Sequence, residues 1–110
     1  MTVTFELDGQ EFTALNGGPQ FRFNEAISFQ VSCVTQQEVD GLWGKLSADG
    51  EEGPCGWLKD RYGVSWQIVP TVLPKLLKDP DSKKSQRVMR AMLGMSKIDI
   101  TALERAAEQP

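Results

Sequence analysis

The sequence predicts one α+β domain over residues 1–110: a mixed β-sheet with helices on one face, an N-terminal β-hairpin and a helical tail from residue 71. Three observations predict it. Up to Pro70, short runs alternate apolar and polar side chains, which is the period of a half-buried strand. Residues 35–46 instead space apolar side chains by three or four positions, as in a helix. Beyond Pro70 only the helical spacing recurs, and 110 residues suffice for one modest core.

The first predicted element is a hairpin. Residues 3–7 and 10–15 alternate in polarity and are separated by Asp8 and Gly9, the dipeptide most typical of a tight two-residue turn. Residues 16–19 then break the strand. In the segment that follows, Phe21 and Phe23 either cover the core or rim a pocket, and we expect them to cover the core.

Two further strands are predicted over residues 26–34 and from residue 64 onward. Their alternation places apolar side chains on the face that a helix should cover, namely Ile27, Phe29, Trp66 and Ile68. Polar side chains occupy the opposite face, namely Ser28, Gln30, Ser65 and Gln67. A short strand at 56–59 and a turn at 60–63 precede the second strand, with Asp60 and Arg61 serving the turn and Gly63 supplying its special backbone angles. The two polar faces predict a shared concave surface.

A helix is predicted to begin at Gln36, because Thr35 and Glu38 have the spacing of a capping box. Its apolar stripe consists of Val39, Leu42, Trp43 and Leu46. Asp49 and Gly50, followed by residues 51–54, are expected to terminate the helix. The stripe should pack on the apolar face of the sheet.

The tail is predicted to contain a short helical patch and two longer helices. Asp79 is expected to cap the second helix with Pro80 in its first position, and Thr101 is expected to cap the third through another capping box. The second helix carries an apolar stripe of Val88, Met89, Met92 and Leu93. We expect this stripe to be core, although methionine-rich faces also bind partners.

Composition excludes several functions. The formal net charge of −3 gives no field that attracts nucleic acid or an anionic membrane, and no apolar run is long enough to span a bilayer. The chain has no histidine, so hydrolase mechanisms that need an imidazole are excluded within it. The N-terminus lacks signal-peptide features, and Cys33 and Cys55 are expected to be reduced. We therefore expect a cytoplasmic protein that binds neither membrane nor nucleic acid.

Five motifs resemble the PhnB-like branch of the vicinal oxygen chelate superfamily, which also holds glyoxalase, bleomycin-resistance and extradiol dioxygenase proteins. They lie at residues 15–19, 28–31, 55–60, 63–70 and 95–100. The resemblance implies a glyoxalase-like βαβββ module, two of which normally pair around a cavity. This chain is short for the branch, as if it entered at the third strand of the first module, so we expect a homodimer to complete the cavity. Members are often labelled demethylubiquinone methyltransferases, but no glycine-rich loop between a strand and a helix indicates an adenosylmethionine site.

The resemblance also implies which residues occupy the superfamily's metal positions. These are Ala26, which has no donor atom, and Gln67, whose neutral carbonyl is a weak ligand for a divalent cation. We therefore expect no metal and no cofactor. The candidate ligand-binding residues are Asn16, Ser28, Gln30, Trp57, Ser65 and Gln67, and no catalytic residue is identified.

Several functional hypotheses remain open. The first is a small-molecule-binding protein without metal-dependent catalysis. The second is a metal-dependent lyase or dioxygenase relative whose ligands come from elsewhere, such as a partner chain, and the third is an incomplete gene copy. A purely structural role is also open for Gln30 and Gln67, whose amides could bond to each other or to water.

Overall fold

The computed structural model describes residues 1–109. Within them the chain forms six strands and four helices. The strands are β1 (Thr2–Leu7), β2 (Gln10–Leu15), β3 (Ser28–Cys33), β4 (Glu51–Glu52), β5 (Trp57–Lys59) and β6 (Ser65–Pro70). The helices are α1 (Gln36–Ser47), α2 (Val72–Leu77), α3 (Ser82–Leu93) and α4 (Ile100–Glu108).

Strands β1 and β2 form the predicted antiparallel hairpin as a separate two-stranded sheet. The turn residues Asp8 and Gly9 have φ angles of 50° and 79°. A two-residue turn whose twist matches that of its two strands requires positive φ at both positions. This requirement explains why an Asp-Gly dipeptide predicts such a turn.

The other four strands form a mixed sheet in the order β3-β6-β5-β4. β3 pairs with β6 in parallel, while β6–β5 and β5–β4 are antiparallel. The sequence pattern does not predict β4, because Glu51 and Glu52 lie in the segment that is expected to terminate α1. Glu52 also accepts a hydrogen bond from Trp43 Nε1 at 2.5 Å, which gives the buried indole its polar partner.

Helix α1 packs on the apolar face of this sheet. It begins at Gln36, and the Thr35 side chain accepts from the Glu38 backbone N–H, as predicted. The buried residues of this contact, here called the sheet core, are Cys33, Val39, Trp43, Leu58 and Ile68. The prediction for Ile27 was wrong: it precedes β3 and is 77% exposed.

Helices α2, α3 and α4 pack mainly on one another. Their buried residues, here called the tail core, are Leu73, Val88, Ile98, Leu103 and Ala107. Only half of the predicted apolar stripe of α3 is used: Val88 is buried and Met92 packs beside it, but Met89 and Leu93 are exposed. The expectation that the whole stripe is core was therefore wrong.

Both predicted caps of the long tail helices were displaced. Asp81 caps α3 by accepting from the backbone N–H groups of Lys83 and Lys84, while Asp79 accepts from Asp81 N. Asp99 caps α4. Asp81 lies two residues after Asp79, and Asp99 lies two residues before Thr101. Aspartate and threonine side chains can each accept from free N–H groups at a helix start, so the sequence offers two candidate caps for each helix.

Five contacts attach the tail to the sheet module, which consists of α1 and strands β3 to β6. The Gln36 amide donates to the Ile98 carbonyl at 3.0 Å and accepts from the Ile100 N–H at 2.7 Å. Lys97 forms an ion pair with Asp40 at 3.0 Å. The backbone N–H groups of residues 55 and 56 donate to the carbonyls of residues 95 and 96, both at 2.8 Å. The tail therefore has a fixed position beside the sheet.

The segment between the hairpin and β3 does not cover the core, contrary to expectation. Phe21 and Phe23 are 84% and 68% exposed. The segment contains no strand or helix, and neither ring is among the residues of the sheet core or the tail core. No helix within residues 1–109 is long and apolar enough to cross a membrane.

Candidate functional site

The sheet face opposite α1 carries two rows of side chains that run across three strands. In the first row Gln30 pairs with Gln67, which pairs with Trp57. In the second row Ser28 pairs with Ser65, which pairs with Lys59. The strand alternation therefore brings together five of the six predicted ligand-binding residues.

Gln67 is held by one hydrogen bond across the sheet. Its Nε2 donates to the Ser28 hydroxyl at 2.9 Å, and its carbonyl oxygen takes no part in that bond. The proposed bond between Gln30 and Gln67 is not formed, and Gln30 is exposed. The first row therefore keeps amide groups that can still bind a ligand.

Ser65 is 1% exposed, and among the described residues its hydroxyl has no hydrogen-bond partner. Beside it lies a groove of about 460 Å³ that Glu25 and Lys59 help to line. Lys59 Nζ contacts Glu25 Oε2 at 3.0 Å. This hydrogen bond lowers the pKa of the Glu25 carboxyl and raises the pKa of the Lys59 ammonium. Both side chains carry their charge near neutral pH.

Asn16 lies apart from the other candidates. It follows β2 at the open end of the hairpin, where its backbone N–H donates to the Met1 carbonyl at 3.0 Å. The structure therefore does not bring Asn16 together with the other five candidates. Its role in ligand binding stays a prediction.

Sequence reasoning missed two groups of residues at this face. Lys59 could have been found, because it lies two positions after Trp57 and so shares its face. The second group comes from the tail and could not have been found. It lines a groove of about 370 Å³ together with the first row, and its members are Leu73, Pro74, Leu77, Lys78 and Met92.

The two residues that the resemblance assigns to the superfamily's metal positions do not fit a divalent cation. Ala26 offers only its backbone, whose N–H donates to Asn24 Oδ1 at 2.9 Å. Gln67 supplies no charge. Within residues 1–109 no three histidine, cysteine, aspartate or glutamate side chains lie close enough together to hold a metal ion. We therefore derive no chemistry through a metal.

The order β3–α1–β4–β5–β6, with its helix on one face and a polar opposite face, defines a glyoxalase-like module. The chain belongs to the family described as 3-demethylubiquinone-9 3-methyltransferase, whose model matches residues 1–69. This confirms the PhnB-like resemblance. The tail lies outside the matched residues.

Among solved structures, four chains match. One is a PhnB protein from Bacillus cereus that carries the same methyltransferase label, with 36% sequence identity and a TM-score of 0.58. The match covers 64% of each chain, so it spans less than two thirds of that relative. No curated protein matches.

The methyltransferase label implies adenosylmethionine, which the strand-to-helix connections do not fit. β3 connects to α1 through Val34 and Thr35, and β6 connects to α2 through Thr71. Neither connection contains a glycine. A close backbone approach to such a ligand at these loops would need glycine, so we derive no methyl transfer.

Proposed function

We propose that this protein binds a small molecule on the polar face of its sheet, without metal-dependent catalysis, and that a second copy completes the cavity. The observation that carries the proposal is the first row of the site. Its two amides and one indole ring offer directional hydrogen bonds and a flat contact area, which is the usual mixture in ligand pockets. Amides and hydroxyls are poor acids and bases near neutral pH, so the row favours binding over catalysis.

Support for the second copy comes from the hairpin. Val3, Phe5 and Leu7 lie on one face of β1, in register with Phe12 on β2, and remain 40–54% exposed on β1. The Phe5 and Phe12 rings stack with centroids 5.7 Å apart, and Phe12 meets the Phe29 ring edge-on at the same distance. A two-stranded hairpin is only marginally stable alone and gains from a partner for its apolar face.

The sheet itself also has an open side. β3 is an edge strand, because its one neighbour in the order is β6. Unpaired backbone groups on an edge strand favour strand addition from another chain. The free edge of β3 and the apolar face of the hairpin meet at Phe29, so one partner could cover both.

The dimer is tested by light scattering on the purified chain over a wide concentration range. We expect twice the monomer mass. Phe5→Asp should shift the mass towards the monomer, whereas Thr4→Asp, on the opposite face of the same strand, should not. A monomer mass for the unchanged chain at all concentrations would contradict the proposal.

Binding is tested by soaking crystals in small-molecule mixtures and by metal analysis of the purified protein. We expect ligand density against Trp57 and Gln67 and no stoichiometric divalent ion. A tightly held ion that Gln67→Ala removes, and that Gln37→Ala on the exposed face of α1 retains, would instead favour a metal-dependent lyase or dioxygenase.

A cytoplasmic location is part of the proposal. It is supported by Cys33 and Cys55, which are both free thiols, with Cys33 packed in the sheet core. Cell fractionation tests it.

A further inference from the structure

The tail supplies one wall of a groove on the polar face. Trp57 and Gln67 form the sheet side of this groove, which has a volume of about 370 Å³. Leu73 and Leu77 of α2 and Met92 of α3 form the opposite side. The groove thus has a mixed polar and aromatic wall from the sheet and an apolar wall from the tail. Its volume lies in the range of small-ligand pockets.

The wall is held in place by contacts that do not belong to the groove. Leu73 is buried in the tail core, and Leu77 and Met92 pack beside it. The Gln36 amide fixes the start of α4 to α1. The apolar wall is therefore a preformed surface, which lowers the cost of binding a ligand.

One charged side chain of the described residues lines the groove, and it is Lys78. The neighbouring Asp79 does not neutralise it, because the Asp79 carboxylate contacts Lys84 Nζ at 3.1 Å and accepts from Asp81 N. Within residues 1–109 no carboxylate lies within 4.0 Å of the Lys78 ammonium, as the other ion pairs use Lys59, Arg61, Lys84 and Lys97. The groove therefore combines an apolar wall with one uncompensated positive charge.

We infer that this groove binds a small amphiphilic carboxylate, with its apolar body against Leu77, Met92 and the Trp57 ring and its carboxylate at Lys78. The inference rests on the proposed small-molecule binding and names the ligand class of that site. The Gln67 amide, on the opposite side, fixes any polar substituent of the apolar body. A neutral ligand would leave the Lys78 ammonium unpaired, and the same ammonium would repel a cationic ligand.

The test uses octanoate, octanol and octyltrimethylammonium, which share an alkyl chain and differ in charge. Calorimetry with the unchanged chain at low ionic strength measures the three dissociation constants. We expect octanoate to bind tightest. Lys78→Met should weaken octanoate about fivefold, the ratio that corresponds to a solvent-exposed ion pair, and should leave octanol unchanged. Lys75→Met is the matched control, because it removes an exposed charge of α2, the helix that ends directly before Lys78, outside the groove.

Location is tested through Cys55, which also lines the groove. The rate at which Cys55 reacts with a thiol reagent should fall when octanoate is bound, while the buried Cys33 stays unreactive in both states. Protection of Cys55 in the unchanged chain and its loss in Lys78→Met at the same octanoate concentration would support the inference.

Three results would overturn it. Octanoate binding without protection of Cys55 would place the ligand elsewhere. Equal binding of all three probes, unaffected by Lys78→Met, would reject the anionic class and leave the proposed binding function standing. Binding of none of the probes would reject the ligand class, and the crystal soaks would then decide the proposed function independently.

Discussion

Gln36 connects α1 to the tail, and Gln36→Ala is the sharpest test of how the tail is held. The change removes the 3.0 Å bond to the Ile98 carbonyl and the 2.7 Å bond from the Ile100 N–H. It also removes a 2.9 Å bond within α1 to the exposed Asp40 carboxylate, which water can replace. Ile98 is fully buried, so its carbonyl has limited access to replacement water. Each such bond is worth about 1 kcal/mol net, and more when a buried partner is left unsatisfied.

The expected loss in the free energy of unfolding is therefore about 2–3 kcal/mol. Urea denaturation is the suitable assay, because a slope of about 1–3 kcal/mol per molar converts this loss into a midpoint shift of about 1 M. Far-ultraviolet circular dichroism reports on all four helices. Tryptophan fluorescence reports on the sheet module, because Trp43, Trp57 and Trp66 all lie there.

Gln37→Ala is the control, because Gln37 is exposed on the same helix and should change stability by less than about 0.5 kcal/mol. If Gln36→Ala and Gln37→Ala had the same midpoint, the amide contacts would not stabilise the fold. If the tail unfolded before the sheet in Gln36→Ala, the two probes would give different midpoints, and the attachment would be confirmed as the connection between two cores.

The other predictions concern Gly56 in the turn before β5, the buried hydroxyl of Ser65, and the ion pair between Lys59 and Glu25. Gly56→Ala should destabilise the protein by more than about 1 kcal/mol, because φ is +84° and a Cβ would lie 3.0 Å from a backbone oxygen of β6. Gly44→Ala, with nothing within 4 Å, should instead be neutral or stabilising by up to about 1 kcal/mol, and thermal unfolding compares the two. Ser65→Ala should keep or raise the melting temperature, because it removes a buried hydroxyl without a protein partner, and a clear drop would reveal a bond that the structure lacks. Lys59→Met should raise the pKa of Glu25, which carbon NMR measures, and an unchanged titration of Glu25 would contradict the ion pair. Because the folded protein lowers the pKa of Glu25, the carboxylate stabilises the fold above its unfolded pKa of 4.5. This stabilisation is lost as the pH falls through the folded pKa.

The elements that could be predicted from the sequence depend on neighbouring residues. The Asp8-Gly9 turn needs positive φ, and the capping box before α1 needs a hydroxyl three residues before a carboxylate. The polar face could also be predicted, because alternation alone puts Gln67 and Ser65 on the same side of one strand. Even there, local signals left ambiguity where two caps competed, and Asp81 was preferred over Asp79.

The other features depend on residues far apart in the chain. The parallel pairing of β3 with β6 places Ser28 opposite Ser65, and no local pattern specifies that partner. The two-residue strand β4 exists only because β5 offers it an edge. Burial of the Ser65 hydroxyl likewise depends on the residues that pack around it. The alternation of a strand predicts the sheet face on which a side chain lies, but not which residues pack over that face.

The sequence alone determined the strand and helix periods, the polar character of one sheet face and the absence of imidazole, because these follow from the identity and spacing of residues. Only the tertiary structure decided that the tail turns an apolar wall and Lys78 towards that face. The physical reason is distance along the chain: the Gln36 contacts that place the tail join residues 62 and 64 positions apart. Such contacts are selected by the packing of the whole chain and leave no periodic signal in its sequence.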